Sequence, residues 1–281
     1  MDTELMEHDR ALVEKANATG RRPVVFVHGL WLLPSSWDRW LAVFRDAGYA
    51  PIAPGWPGDP ETVTEANEHP EVLADKSIGE VVEHYTALIE MLDHPPAVIG
   101  HSFGGLFVQI LAGKGLSAAT VAIDPAPFRG VLPLPISALR SGSPILGHPT
   151  SRHRAVPLTY DQFRYAFANA VDEDEAKALH EEFAVPAPGL PLWQSAASNL
   201  NPRTEAAVDV DNPDRGPLLI ISGEKDHTIP WALAHAAYQQ YAENPATTEI
   251  AEMPDRGHSL TIDHGWPEVA ETALTFVQRF V

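Results

Sequence analysis

Ala97-Val98-Ile99-Gly100-His101-Ser102-Phe103-Gly104-Gly105-Leu106-Phe107 decides how the chain is read. A short apolar run leads into Gly-x-Ser-x-Gly, and Leu106, Phe107, Ile110 and Leu111 then follow at helical spacing. The order is strand, sharp turn, helix. A serine on such a turn is held at the carboxyl end of a strand in a strained backbone conformation that projects its hydroxyl into a crevice. Glycines at 100 and 104 leave the turn the room that a Cβ would close.

Outward from this turn, continuous apolar runs recur at Val24–Val27, Ala50–Ala53, Thr120–Ile123 and Leu218–Ile221, with a further strand expected near Thr247–Met253. Runs without polar alternation are how strands covered on both faces read. Helical stretches lie between them: Ser77 with Glu80 predicts a capping box ahead of Val81, Tyr85, Leu88 and Leu92. Helices are also expected at Asp2–Ala18, Trp231–Ala242 and Trp266–Phe280. Strand and helix in repetition predict an α/β protein with a mostly parallel central sheet flanked by helices.

The repetition breaks between Pro125 and Pro217, which holds 13 of the chain's 26 prolines. Short capped helices are expected there, from Thr159 with Gln162 and from Asp172 with Glu175. The predicted organisation is a core of residues 1–124 and 218–281 and a helical, proline-rich insertion over 125–217.

Composition excludes several classes. Nineteen Lys+Arg against 38 Asp+Glu give a net charge of −19, which repels phosphate and argues against nucleic-acid binding. No apolar run approaches the ~18 residues of a membrane span, and the N-terminus lacks the cationic start and apolar stretch of a signal peptide. A cytoplasmic protein is expected. With no cysteine there is no disulfide, thiolate nucleophile or Cys-based zinc site.

A serine hydroxyl needs a base, normally a histidine oriented by a carboxylate. Of 13 histidines, His258 stands out, in Asp255-Arg256-Gly257-His258-Ser259 after the last expected strand. The carboxylate is sought after an earlier strand, and Gly223-Glu224-Lys225-Asp226 directly follows Leu218–Ile221. The chain order is then Ser102, Asp226, His258. Neighbouring His227 is expected to turn away, and the scattered histidines show no metal-ligand spacing.

With these motifs, and His28-Gly29 after the first strand, the sequence resembles the α/β-hydrolase family from about Pro23 to Val281. The resemblance implies that Ser102, Asp226 and His258 form a catalytic triad, that the backbone N–H groups of Leu30 and Phe103 form an oxyanion hole, and that residues 125–217 form a cap. It implies a serine hydrolase acting, without cofactor or metal, on a small to medium ester or lactone. Thioesterase, amidase and cofactor-free perhydrolase chemistry, or a non-catalytic small-molecule binder, remain alternatives. Some members place the carboxylate after the preceding strand, which makes Asp124 the rival acid. Members often begin with a β-hairpin, which this chain replaces with the acidic helix.

The expected pocket lies between core and cap, with Trp31, Phe128 and Trp193 as lining candidates. Trp37 and Trp40 read as one buried face instead. His28 and His101 are expected as hydrogen-bonding partners near the oxyanion loop. Between Phe128 and Ala170 five arginines (129, 140, 152, 154 and 164) face only Asp161. They are expected to dock the cap on the acidic body or to meet an anionic group on the substrate.

Overall fold

The computed structural model describes residues 7–132 and 134–281. Its six-stranded sheet is parallel throughout, in the order β2 (Ala50–Ile52), β1 (Pro23–Val27), β3 (Ala97–His101), β4 (Ala119–Ile123), β7 (Leu218–Gly223), β8 (Thr248–Met253). The four central strands are buried along their whole length, as their unbroken apolar runs require, while β8 at the edge is half-buried.

Alternate side chains of these strands enter different apolar layers. Val25, Val27, Val98 and Ile220 pack with α1 (Glu7–Ala18), α4 (Ile78–Glu90), α5 (Phe103–Gly113) and α10 (Trp231–Gln239). Val24, Phe26, Ile99 and Ile221 pack with α2 (Asp38–Asp46) and α11 (Trp266–Gln278). Phe26 is the hub of this second layer, with ring centroids 5.1 Å from Trp37, 6.1 Å from Trp40 and 5.2 Å from Phe44. Trp37 and Trp40 thus form the expected buried face.

Helix α1 spans Glu7–Ala18, and residues 2–6 of the expected helix lie outside the described residues. One face of it is docked on its own chain: Val13 and Ala16 enter the core, and buried Asp9 lies 3.4 Å from buried His84 on α4. Among the described residues no strand precedes β1, and no helix is long and apolar enough to cross a membrane. A short helix, α3 (Val63–Glu68), lies between β2 and α4.

Between β4 and β7 the chain runs through α6 (Ile136–Leu146), α7 (Tyr160–Ala166), α8 (Glu173–Phe183) and α9 (Gly189–Ala196). A two-stranded antiparallel pair, β5 (Ala155–Val156) with β6 (Ala187–Pro188), ties them. The capping box at Thr159 and Gln162 forms in full on α7. At α8 only half of the expected box forms: Asp172 accepts from the Glu175 N–H, but the Glu175 carboxylate reaches the N–H and Nδ1 of His264 at 2.6 and 2.7 Å. The α4 cap is also shared, since Ser77 accepts from Glu80 N–H while Gln194 and Glu205 take the N–H groups of Ile78 and Gly79. In both cases a tertiary partner displaces or supplements a local one. The segment is anchored at helix ends of the core.

Trp40, fully buried and donating its indole N–H to Thr261 O, makes a direct test of the second layer. Trp40→Ala is expected to lower the unfolding free energy by about 3–5 kcal/mol, read from the urea midpoint; a loss under about 1 kcal/mol contradicts this packing.

Candidate active site

Ser102 sits where β3 gives way to α5, at φ 56° and ψ −117°. Serine rarely adopts such a backbone, and the surrounding glycines show what holds it there. A Cβ on Gly100 would lie 2.2 Å from Gly104 O, and one on Gly104 would lie 2.0 Å from Val27 O. One on Gly29 would meet Ser102 Cβ at 2.7 Å. Only glycine lets these backbones approach so closely. Ser102 N–H donates to Ile123 O, and Ser102 O accepts from the N–H groups of Leu106 and Ala126.

The structure brings the three sequence-predicted polar residues together. His258 Nε2 lies 3.0 Å from Ser102 Oγ, and His258 Nδ1 lies 2.6 Å from Asp226 Oδ2. Asp226 Oδ1 accepts from the N–H groups of Thr228 and Ile229 at 2.6 and 2.9 Å, which fixes the carboxylate in the turn after β7. All three side chains are buried. Such a chain can take a proton from a hydroxyl and pass it back.

Asp124, the rival acid, follows β4 at φ 40° and is fully buried. Its Oδ1 accepts from Gly223 N–H at 2.8 Å, while Oδ2 has no hydrogen-bond partner and stands 3.9 Å from His258 Nδ1. Asp226 is therefore the carboxylate that engages the histidine. Burial, then the negative Asp226 beside it, hold the Asp124 acid well above the ordinary carboxylate range.

His28 fulfils its expected role, with Nδ1 2.9 Å from Gly29 O, Nε2 3.0 Å from Asp59 Oδ2, and its ring stacked on Trp56. His101 does not: neither ring nitrogen has a hydrogen-bond partner. Its ring instead packs 4.6 Å from that of His258, in a fully buried place without a polar neighbour in bonding geometry. Burial and the His258 ring push its pKa well below the ordinary histidine range, which keeps it neutral. His101, Asp124 and His258 bring ligand-type atoms within 4.8 Å of one another. Both His258 nitrogens are already in hydrogen bonds, so this cluster is a poor fit to a metal, which wants a neutral nitrogen to itself.

The segment after α7 stitches these loops together. Phe167 O accepts from Ser259 N–H at 3.0 Å, Ala166 O from Thr228 Oγ1 at 2.7 Å, and Lys225 O from Asn169 Nδ2 at 2.7 Å. His227 turns away, as expected, its Nδ1 3.1 Å from Tyr165 O. The Phe167 ring covers His258 at 4.8 Å and meets Trp31 edge-on at 6.2 Å. From sequence, Phe163 and Phe167 are expected in an apolar roof over the site; the hydrogen bonds that tie the segment to the Asp226 and His258 loops carry no sequence signal, since they run mostly from backbone carbonyls.

Leu30 is buried beside Gly29, and Phe103 opens α5, where first-turn N–H groups lack intrahelical acceptors. Trp31, at φ 64°, donates its indole N–H to Val156 O at 2.9 Å and accepts from Val185 N–H through its carbonyl. Two bonds from the intervening segment thus seize the residue that follows Leu30.

A cavity of about 80 Å³ lies over Ser102. Trp31 lines it; Phe128 and Trp193 do not. Phe128 is buried against Tyr241, and Trp193 hydrogen-bonds Ser151 and faces a separate groove. The walls come instead from Leu134 just before α6, from Leu139 on α6 and Leu192 on α9, and from Ile229 in the loop after Asp226. None of the five arginines lines it. Arg129 donates to Pro202 O, Arg140 stacks on Tyr165, and Arg164 pairs with Glu173, all within the segment itself.

Against known proteins, a sequence model of the alpha/beta hydrolase family matches residues 24–272, and the chain belongs to that family. No curated protein matches the sequence. Among solved structures it is similar to a monoacylglycerol lipase of Paleococcus ferrophilus, at 19% identity and TM-score 0.63 over 92% of this chain and 95% of that one. An extracellular alpha/beta-hydrolase from a Paenibacillus species shares 18% identity at TM-score 0.66, over 91% and 98% of the two chains. A pyrethroid hydrolase of Sphingobium faniae shares 16% identity at TM-score 0.64, over 92% and 97%. At these identities the likeness is one of fold.

Asp124 yields a pH-dependent prediction. Its folded pKa is raised, so the unfolded chain releases this proton near 3.8 while the folded chain retains it, and stability is lost as pH rises above that value. Asp124→Asn removes the titration and keeps an amide oxygen to accept from Gly223 N–H. The variant's urea midpoint is expected to exceed that of the parent by a margin that widens from pH 4 to pH 8. A variant less stable at pH 8 contradicts the assignment.

Proposed function

We propose that the protein is a serine hydrolase that cleaves a carboxylic ester or lactone of a small to medium, largely apolar substrate, without a cofactor. The observation that carries this reading is the buried Ser102–His258–Asp226 hydrogen-bond chain at the floor of an apolar cavity. Ser102 Oγ attacks the carbonyl while His258 Nε2 takes its proton, and Asp226 holds the resulting imidazolium. The tetrahedral oxyanion is stabilised by the N–H groups of Leu30 and Phe103, each donor of this kind being worth ~10²–10³ in rate. His258 returns the proton to the leaving oxygen. Water, deprotonated by the same histidine, then releases the acid from Ser102.

Residues 125–217 act as the cap. Their contribution to the cavity is mostly hydrocarbon, with Ser141 and Ser195 the hydroxyl-bearing exceptions, and exposed Leu139 carries the apolar lining out toward solvent. No Lys, Arg, Asp or Glu lines the cavity among the described residues, which supports an uncharged substrate. Arg129, Arg140 and Arg164 then serve the cap's own cohesion.

Ser102→Ala is expected to lower turnover of a p-nitrophenyl ester on the order of 10⁶-fold, with the melting transition retained. Ester hydrolysis that survives this substitution sinks the assignment.

A further inference from the structure

Four residues that carry a hydroxyl line the cavity, and three of those hydroxyls are spoken for. Ser102 Oγ is bonded to His258, Thr228 Oγ1 donates to Ala166 O, and Ser195 Oγ donates to Pro127 O. The fourth, Ser141 in the middle of α6, is buried and its Oγ has no hydrogen-bond partner. Helix α6 does satisfy a hydroxyl where one needs it: Ser143, two residues on, donates back to Arg140 O at 2.7 Å. Ser141 makes no such bond, and the walls around it include Trp31, Phe103, Leu139, Leu146, Leu192 and Leu233.

An unpaired hydroxyl in dry surroundings is a standing penalty that a partner would relieve. A hydrocarbon occupant cannot relieve it. A charged one has no counter-charge in the lining among the described residues. We propose that Ser141 is a specificity-determining residue: the part of the substrate that fills the cavity carries a neutral oxygen (hydroxyl, ether or carbonyl) on an otherwise hydrocarbon frame, and Ser141, free of any bond that would hold its rotamer, turns its Oγ into the cavity to pair with it. The reaction at Ser102 is unchanged, because the subsite supplies binding only. A site that holds a hydrogen-bonding group for its ligand discriminates against the analogue that lacks the complementary atom, since its own polar group is then left unpaired. The inference rests on the reading of Ser102 as the nucleophile.

The test is a set of p-nitrophenyl esters in pairs of equal length, one with an all-carbon acyl chain and one with a single methylene replaced by an ether oxygen or bearing a hydroxyl, the oxygen stepped along the chain. The readout is the kcat/KM ratio within each pair. In the parent protein one oxygen position is expected to be preferred by about 10-fold or more, and Ser141→Ala is expected to bring that ratio to within about 2-fold of unity. Ser141→Cys, which keeps the volume but offers only a weak donor, is expected to move it the same way. A ratio that is the same in parent and variants, at every oxygen position, overturns the subsite while leaving ester hydrolysis at Ser102 standing. A parent protein that turns over neither member of any pair instead counts against the nucleophile itself, and the subsite falls with it.

Discussion

The close approach of backbones around Ser102 is the constraint on which the rest of the site depends. Gly29, Gly100 and Gly104 let three chain segments approach within distances that no Cβ would permit. The serine between them is held at positive φ. Strain of this sort, of order 1–3 kcal/mol per residue, persists only where the surroundings over-determine it. Here β3 is buried along its length and every residue of α5 is buried, so the turn has no slack to relax into. Five non-glycine residues adopt positive φ among those described; of these, Trp31 and Ser102 line the same cavity, and Asp124 stands 3.9 Å from the histidine that Ser102 bonds.

The carboxyl ends of neighbouring parallel strands supply the other parts. Asp226 follows β7, and His258 arrives in the loop between β8 and α11, more than 150 residues from Ser102 in sequence. Their loops are held from the far side by the segment Tyr165–Asn169, through three carbonyl contacts and the Asn169 amide. Trp31 is tied in the same way to Val156 and Val185. The intervening segment is therefore structural to the site as well as being its roof: it presses Phe167 onto the His258 ring and fixes the backbone beside Leu30.

How much of this is legible in the sequence follows from how local each signal is. Continuous apolar runs announce buried parallel strands, and Gly-x-Ser-x-Gly announces the turn, because strand burial and turn sterics are set by neighbours in sequence. The Asp226 and His258 loops are legible for the same reason, each lying just past a strand. The cavity is not. Its walls depend on how α6 and α9 dock, and α6 carries Pro144 inside it, which reads as a break rather than a helix. Phe128 and Trp193 are apolar enough to line a pocket, yet each finds a partner elsewhere that no pattern reveals. Glu175 likewise closes no box because His264, 89 positions away, offers it two bonds instead. His101, adjacent to the nucleophile, looks like a hydrogen-bonding residue and is a neutral ring packed against another ring.

The central claim is that Ser102 is an activated nucleophile, and covalent capture addresses it most directly. The folded protein treated with a fluorophosphonate probe at neutral pH, and examined by intact mass and peptide mapping, is predicted to gain one phosphonyl group on Ser102. Asp226→Asn, which leaves His258 without its charged partner, is predicted to react far more slowly. A folded protein that remains unlabelled, or that carries its label on another residue, contradicts the account.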